Sequence, residues 1–451
     1  MKKFILRTLL VLLALVLTVL IIYINYVAPG ITGYAAKNVA SGVFVAGRTQ
    51  ESIEREDINF FPVKLSKNRV DLENHEATGR FLLWRSKAVY NEGLGCTLVK
   101  GFSKKEVEKL DYPEVEIPAG DPDTIPWPAG DLIADTIPVG INLDKLNRIL
   151  ERVFDDTATF RGTFSVLVVF RDQIIAERYR SDFTENTKFL SWSMAKSFTN
   201  TITGLLVREG RIDINTPLGF KEWKDDERKN ITLNHLLTMT SGLEFNEAYS
   251  KLKLTDATTM LLKKGDMGDY AASKKLVASP GSRWEYSSGT VNIIQDYIRS
   301  VFGNDEEYLA YPAKALFHKT GMRSVVWEVD ASGTFVGSSY LYATMRDYAR
   351  FGLLYLHNGN WLGEQLLPAD WLNYTTNPAN GSNGGYGALF WLNQSGQFPG
   401  IPSDLFYCDG YDGQRIFILP SKELVIVRTG CSPRGTFDWT AFLSGIIDTL
   451  D

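Results

Sequence analysis

Apolar residues fill the chain from Leu9 to Val27, and only Thr18 and Asn25 interrupt the run. Its 19 residues (27 − 9 + 1) approach the ~20 an α-helix needs to cross a bilayer and exceed the ~7–15 of a cleavable signal's apolar region. The pattern predicts a membrane anchor over residues 1–30. Lys2, Lys3 and Arg7 precede the run, which favours a cytoplasmic amino terminus and places the remainder on the periplasmic or extracellular side of an inner membrane. The alternative is a removed signal peptide, with a small-x-small site at Gly33 and Ala35.

Beyond the anchor the periodicity lapses. Residues 31–140 read as irregular, and "VEIPAGDPDTIPWPAGDLIADTIP" carries five prolines, suiting an extended layer laid over a core. Periodic segments then return. "NLDKLNRILERVF" predicts an amphipathic helix, and "TFSVLVVF" and "QIIAERY" predict two strands joined in a hairpin at Arg171-Asp172. A helix from Ser193 toward Glu209 is stopped by Gly210, and helical patterns dominate to about residue 375 ("TLNHLLTM", "VNIIQDYIRSVF", "MRDYARFGLLYLH"). Strand patterns close the chain in "GYGALFWL", "QRIFILP" and "ELVIVRT", before a last helical pattern, "TAFLSGIIDTL". Strands at both ends of a helical middle predict one α+β domain over residues 141–451, its sheet completed by the carboxyl-terminal strands and a helical subdomain inserted.

Composition narrows the chemistry. The 451 residues are 44% hydrophobic and 22% charged with net charge −5, and no long basic run is interleaved with aromatics, which argues against a nucleic-acid partner. The four histidines (His75, His235, His318, His357) and three cysteines (Cys96, Cys408, Cys431) are too scattered for a metal site or a thiol redox motif. Three cysteines leave at least one unpaired, so the fold cannot depend on a disulfide framework.

No G-x-S-x-G is present and no histidine sits in a triad context, so a nucleophile-elbow hydrolase is disfavoured. Ser-Lys chemistry remains. S-x-x-K occurs at Ser193/Lys196 and at Ser250/Lys253, while about one match is expected by accident in a chain this long. The second lies in a polar stretch and reads as a solvated turn. The first opens a helix with Met194, Ala195, Phe198, Ile202 and Leu205 on its apolar side. Lys196 is thereby held beside a core, where desolvation favours the neutral amine that can take a serine proton. An N-cap serine and a snorkelling lysine remain the plainer reading of that segment alone.

Four ordered segments widen the context: "SMAKSFTNTITGLLVREGRIDINTPL", "ITLNHLLTMTSGL", "PGSRWEYSSGTVNII" and "LYATMRDYARFGLLYLHNGNWLGEQLLPADWL". Together they resemble the penicillin-recognising serine hydrolases, and within them the class C beta-lactamase-like esterases and amidases of the 6-aminohexanoate-dimer hydrolase type. The resemblance covers roughly residues 140–451. It implies a beta-lactamase-like fold, an antiparallel sheet flanked by helices, with Ser193 as nucleophile, Lys196 as its base and Tyr286 as proton relay, acting on a small ester or amide without cofactor or metal. Ser288 departs from the family pattern, which places asparagine two residues after the tyrosine.

The family's third motif has two candidates. Lys319-Thr320-Gly321 spells K-T-G, yet "AKALFHKTGM" reads as a helix ending in basic residues with Gly321 as its cap. "CDGYDGQRIFILP" instead opens a strand and matches the esterase and amidase form at Gly410, Gly413 and Gln414, with Cys408 where alanine is usual. By that resemblance Gly410 lets the backbone approach substrate, and the Tyr411 and Ser193 N–H groups form an oxyanion hole. Asp409 and Asp412 would then disfavour a substrate carboxylate, with Arg415 as a possible counterweight. The resemblance leaves a D,D-peptidase or beta-lactamase, and a catalytically idle anchored binding protein, as alternatives.

Overall fold

The structure is a computed structural model describing residues 1–248 and 253–450. Its first element, α1, runs from Lys2 to Phe44 without ending at the anchor boundary, carrying Pro29 within it. The side chains from Phe4 to Tyr26 are largely exposed, whereas Ala28, Ala35, Ala36, Val39 and Ala40 are fully buried. Small residues explain the change. Gly33 lies against the Leu262 backbone, where no side chain fits, and Gly42 packs under the Ile53 side chain, so the second half of α1 can be sunk into the protein. The apolar part is long enough to cross a membrane.

Residues 31–140 are more regular than their sequence suggests. After α1 come four antiparallel strands in the order β1 (Lys67–Asp71), β2 (Glu76–Phe81), β3 (Trp84–Asn91) and β4 (Gly95–Leu98). The sequence shows no strand pattern there because the inward positions are small or polar (Ala77, Gly79, Ser86, Ala88) and "KNRVD" buries no residue, so the apolar alternation usual for a half-solvated sheet is missing. The other face receives α1: a Cβ at Gly79 would collide with the backbone of Thr32 and Ala36. A buried ion pair joins Lys37 of α1 to Glu328, which also accepts from Ser41 Oγ at 2.7 Å and Cys96 N at 2.8 Å. The proline-rich span 111–140 contains no α-helix, only a 3-10 turn at Pro122–Thr124 and one isolated bridge.

The central sheet has six antiparallel strands in the order Trp391–Leu392, Phe406–Gly410, Gln414–Leu419, Leu424–Gly430, Thr163–Phe170, Gln173–Tyr179. The predicted hairpin turns at Arg171 and Asp172, both at positive φ (48° and 61°), the backbone twist that a two-residue turn requires. Thr163–Phe170 is buried on both faces. Val166, Val168 and Phe170 pack with the helices Leu143–Phe154 and Trp439–Ile447, and Phe164, Leu167 and Val169 face the main core. Within that core lie the helices Ala195–Arg208, Ser288–Val301 and Met345–Leu356. One strand expectation shortens: of "GYGALFWL" only Trp391–Leu392 pairs in the sheet, and the rest turns back, with Tyr386 bridged to Trp391 and Leu389 at φ 59°.

Candidate active site

The candidate nucleophile sits one turn before its helix. Trp192–Met194 form a 3-10 turn, and the α-helix begins at Ala195. The turn is pinned from below. Ser191 N donates to Leu341 O at 2.7 Å, Leu341 N donates to Ser191 Oγ at 3.3 Å, and a Cβ at Gly410 would collide with Ser191 O. Gly410 ends a central strand directly against the turn, so only glycine permits that approach. Trp192, at φ 46°, holds the left-handed conformation that a bulky residue adopts only when its surroundings impose it. Its ring stacks on Tyr34 of α1 at 6.1 Å and meets Tyr411 edge-on at 5.7 Å.

Lys196 is 1% exposed. Its Nζ lies 2.9 Å from Ser193 Oγ, 3.1 Å from Ser288 Oγ and 3.0 Å from Ser338 O. Burial pushes the ammonium down to about 8, against the pull of the Glu247 carboxylate. Tyr286 stands over the same amine, with its ring centroid 5.0 Å from Nζ, and shares a hydrogen bond with Ser193. Burial first, and then Glu247, push its phenol well above the ordinary tyrosine range. The two candidate bases are thus separated by environment: near neutral pH the lysine is the group that can be deprotonated, and the tyrosine keeps its proton.

Ser288, the departure from the family pattern, is fully buried at the start of its helix. Its hydroxyl donates to Glu247 Oε1 at 2.6 Å, and its N–H donates to Oε2 at 2.8 Å. Glu247 is the site residue that the sequence does not disclose: it comes from a loop with no periodicity, 288 − 247 = 41 residues before its partner. Tyr386 and Trp391 wall the site, their rings 5.9 and 5.4 Å from that of Tyr286.

The glycine-rich turn 410–414 lies beside the nucleophile. Gln414 fastens it, its Nε2 donating to Tyr411 O at 3.0 Å and to Gly430 O at 2.6 Å. Cys408 is buried beneath, and its thiol is pushed up to about 12 by that burial. The expected acidic character is largely cancelled. Asp409 is ion-paired with Arg415, and burial raises the Asp412 carboxyl to about 7. The literal K-T-G lies elsewhere: Thr320 is buried and donates to Leu316 O at 2.8 Å, Lys319 pairs with Glu364 on the surface, and Gly321 (φ 76°) packs near Ala129. Of the second S-x-x-K, Ser250 lies outside the described residues, and Lys253 is exposed. All three cysteines are free, and among the described residues no three His, Cys, Asp or Glu side chains gather as a metal site.

Comparison with known proteins places the chain among its relatives. The chain is 25% identical over 326 residues to the 6-aminohexanoate-dimer hydrolase of Paenarthrobacter ureafaciens, covering 66% of this chain and 79% of that one. A putative 6-aminohexanoate-dimer hydrolase from Bacillus anthracis shares the fold with a TM-score of 0.57 at 22% identity, over 75% of this chain and 90% of that one. EstCE1, a hydrolase with promiscuous acyltransferase activity, superposes with a TM-score of 0.54 at 13% identity, over 68% and 97%. Residues 150–430 match the Beta-lactamase family, a span that holds Ser193, Lys196, Tyr286 and Gly410. The chain belongs to the Beta-lactamase family of hydrolases.

Proposed function

We propose that this protein is a serine hydrolase of esters or linear amides that works through an acyl-enzyme on Ser193. The observation that carries the reading is the Lys196 amine, buried, 2.9 Å from Ser193 Oγ and lowered to about 8. Neutral Lys196 takes the Ser193 proton as Oγ bonds to the substrate carbonyl carbon. The oxyanion meets the Ser193 and Tyr411 N–H groups, with Gly410 leaving room for it. Tyr286 gives its proton to the departing alcohol or amine and regains one from Lys196, so the relay balances. Water then attacks the acyl carbonyl, and the same relay returns the proton to Ser193. Ser288, itself bonded to Glu247, helps hold the Lys196 amine in place.

The domain boundaries follow the same reading. Residues 1–30 anchor the protein in a membrane with the amino terminus inside, 31–140 pack on the catalytic core, and 141–451 form the hydrolase outside the cytoplasm. The substrate class is supported by the 6-aminohexanoate-dimer hydrolase among the relatives and by a third motif whose cation, Arg415, is already paired with Asp409. Hydrolysis of a p-nitrophenyl ester by the Ser193→Ala and Ser250→Ala variants tests the assignment. The first should be inactive and the second near wild type; an active Ser193→Ala variant would end the reading.

A further inference from the structure

The turn between β2 and β3 is built against ordinary turn chemistry. Phe81 pairs with Trp84, leaving Leu82-Leu83 as a two-residue hairpin loop, where Asn-Gly or Asp-Gly is the usual solution. Leu82 is forced to φ 52°, a conformation that a leucine holds at some strain. Leu82 and Leu83 are 58% and 88% exposed, Phe81 and Trp84 are half-buried, and Arg80 and Arg85 flank them in solvent. Among the described residues neither arginine has an ion-pair partner.

Its place along α1 supplies a reason. Phe44, at the end of α1, packs on His75 and Tyr90 at the base of the hairpin (ring centroids 6.0 and 5.6 Å). Further back along α1, Thr32 Oγ1 lies 2.8 Å from Ser86 Oγ, and Gly79 touches Thr32 and Ala36. The hairpin therefore points back along α1 toward its apolar end. From Gly79 to the turn is about 12 Å of strand, at about 3.3 Å per residue. At about 1.5 Å per helical residue this brings Leu82-Leu83 level with about residues 24–28 of α1. There the exposed apolar run gives way to buried residues, and Tyr23 and Tyr26 are exposed, as aromatic residues are at a membrane–water boundary. On another side of α1 at this level, Tyr26 OH donates to Leu254 O at 2.9 Å, the Lys263 ammonium lies 5.4 Å from the Tyr26 ring, and Lys253 is exposed.

We propose that the Phe81–Trp84 hairpin tip inserts into the interfacial layer of the membrane that α1 spans, with Arg80, Arg85, Lys253 and Lys263 forming a basic collar on anionic phospholipid headgroups. The proposal rests on the anchor reading above. Leucines and an aromatic pair at the tip bury apolar area among acyl chains, and basic residues behind them suit phosphate groups. With α1 continuous and packed into the protein, this second contact fixes the tilt of the catalytic domain. The nucleophile turn, which α1 touches through Tyr34 and Trp192, is thereby held near the lipid surface.

Full-length protein in phosphatidylcholine/phosphatidylglycerol vesicles, with the photoreactive residue p-benzoylphenylalanine in place of Leu17, Leu72 or Leu83, tests this. Leu72 is the control: it is 66% exposed but lies in the β1–β2 turn at the far end of the same sheet. Lipid adducts are expected at positions 17 and 83, several-fold above those at 72. Adducts at 17 with no excess at 83 over 72 would overturn the hairpin proposal while leaving the anchor intact. No adducts at 17 would overturn the anchor, and the proposal with it. Combining Arg80→Glu with Arg85→Glu should lower the yield at 83 and spare that at 17; an unchanged yield at 83 would overturn the role given to the arginines.

Discussion

Ser288 Oγ donates a 2.6 Å hydrogen bond to Glu247 and stands 3.1 Å from Lys196 Nζ, so a carboxylate reaches the proposed base through one hydroxyl. Burial lowers the Lys196 amine to about 8 and Glu247 pulls it back up. A base must be deprotonated to act, so kcat/KM on a neutral ester should rise with pH through a midpoint near 8. Removing the negative charge in Glu247→Gln leaves burial less opposed, and the limb should move to lower pH. A pH profile measured on p-nitrophenyl butyrate checks both; a limb unmoved or shifted upward in the variant contradicts the coupling.

Gly410→Ala should impair catalysis more than folding. The added Cβ would collide with Ser191 O, displacing either the nucleophile turn or the Tyr411 amide, and loss of one oxyanion donor typically lowers kcat by about 10²–10³-fold. Esterase kinetics paired with thermal unfolding separate the effects. Wild-type kcat in Gly410→Ala would remove this strand end from the mechanism.

Much of the site is legible in the sequence because its parts are local or carry a motif. Ser193 and Lys196 are neighbours on one short segment, Tyr286 is flagged by "PGSRWEYSSG", and Gly410 is flagged by its glycine spacing before an apolar strand. Glu247 is not legible, since its role exists only where an aperiodic loop meets a helix start brought to it by tertiary packing. The reading of Asp409 as a repulsive group fails for a related reason. Asp409 and Arg415 are cross-strand partners in register, and that pairing depends on where the intervening turn falls. The extension of α1 to Phe44 is also missed, because its buried half is made of small residues that serve close packing and show no apolar stripe.

That buried half of α1 should contribute to global stability. Glu328 is fully buried and in Lys37→Ala loses the one cation paired with it among the described residues, and breaking a buried pair by removing one partner costs about 3–5 kcal/mol. Thermal or chemical unfolding in detergent should show a loss of that order. A loss under about 1 kcal/mol, the range of exposed pairs, would mean that α1 is only loosely joined to the domain.

Substrate preference follows from the third motif. With Arg415 paired to Asp409 and no lysine before Gly410, a substrate carboxylate finds no uncommitted cation in this segment. Nitrocefin should therefore show a lower kcat/KM than p-nitrophenyl acetate or butyrate. Lys319→Ala should change neither, because Lys319 forms an exposed pair with Glu364. A higher kcat/KM for nitrocefin, or loss of activity in Lys319→Ala, would show that the third motif has been misplaced.

The central claim is that Ser193 is the nucleophile, activated by Lys196. Labelling the purified full-length protein with a fluorophosphonate, followed by mass-spectrometric mapping, tests it most directly. The account predicts one adduct, on the peptide containing Ser193, that is lost in Ser193→Ala and formed at least ~10²-fold more slowly in Lys196→Ala, as expected when a general base is removed. An adduct on another serine, or undiminished labelling in Lys196→Ala, would contradict it.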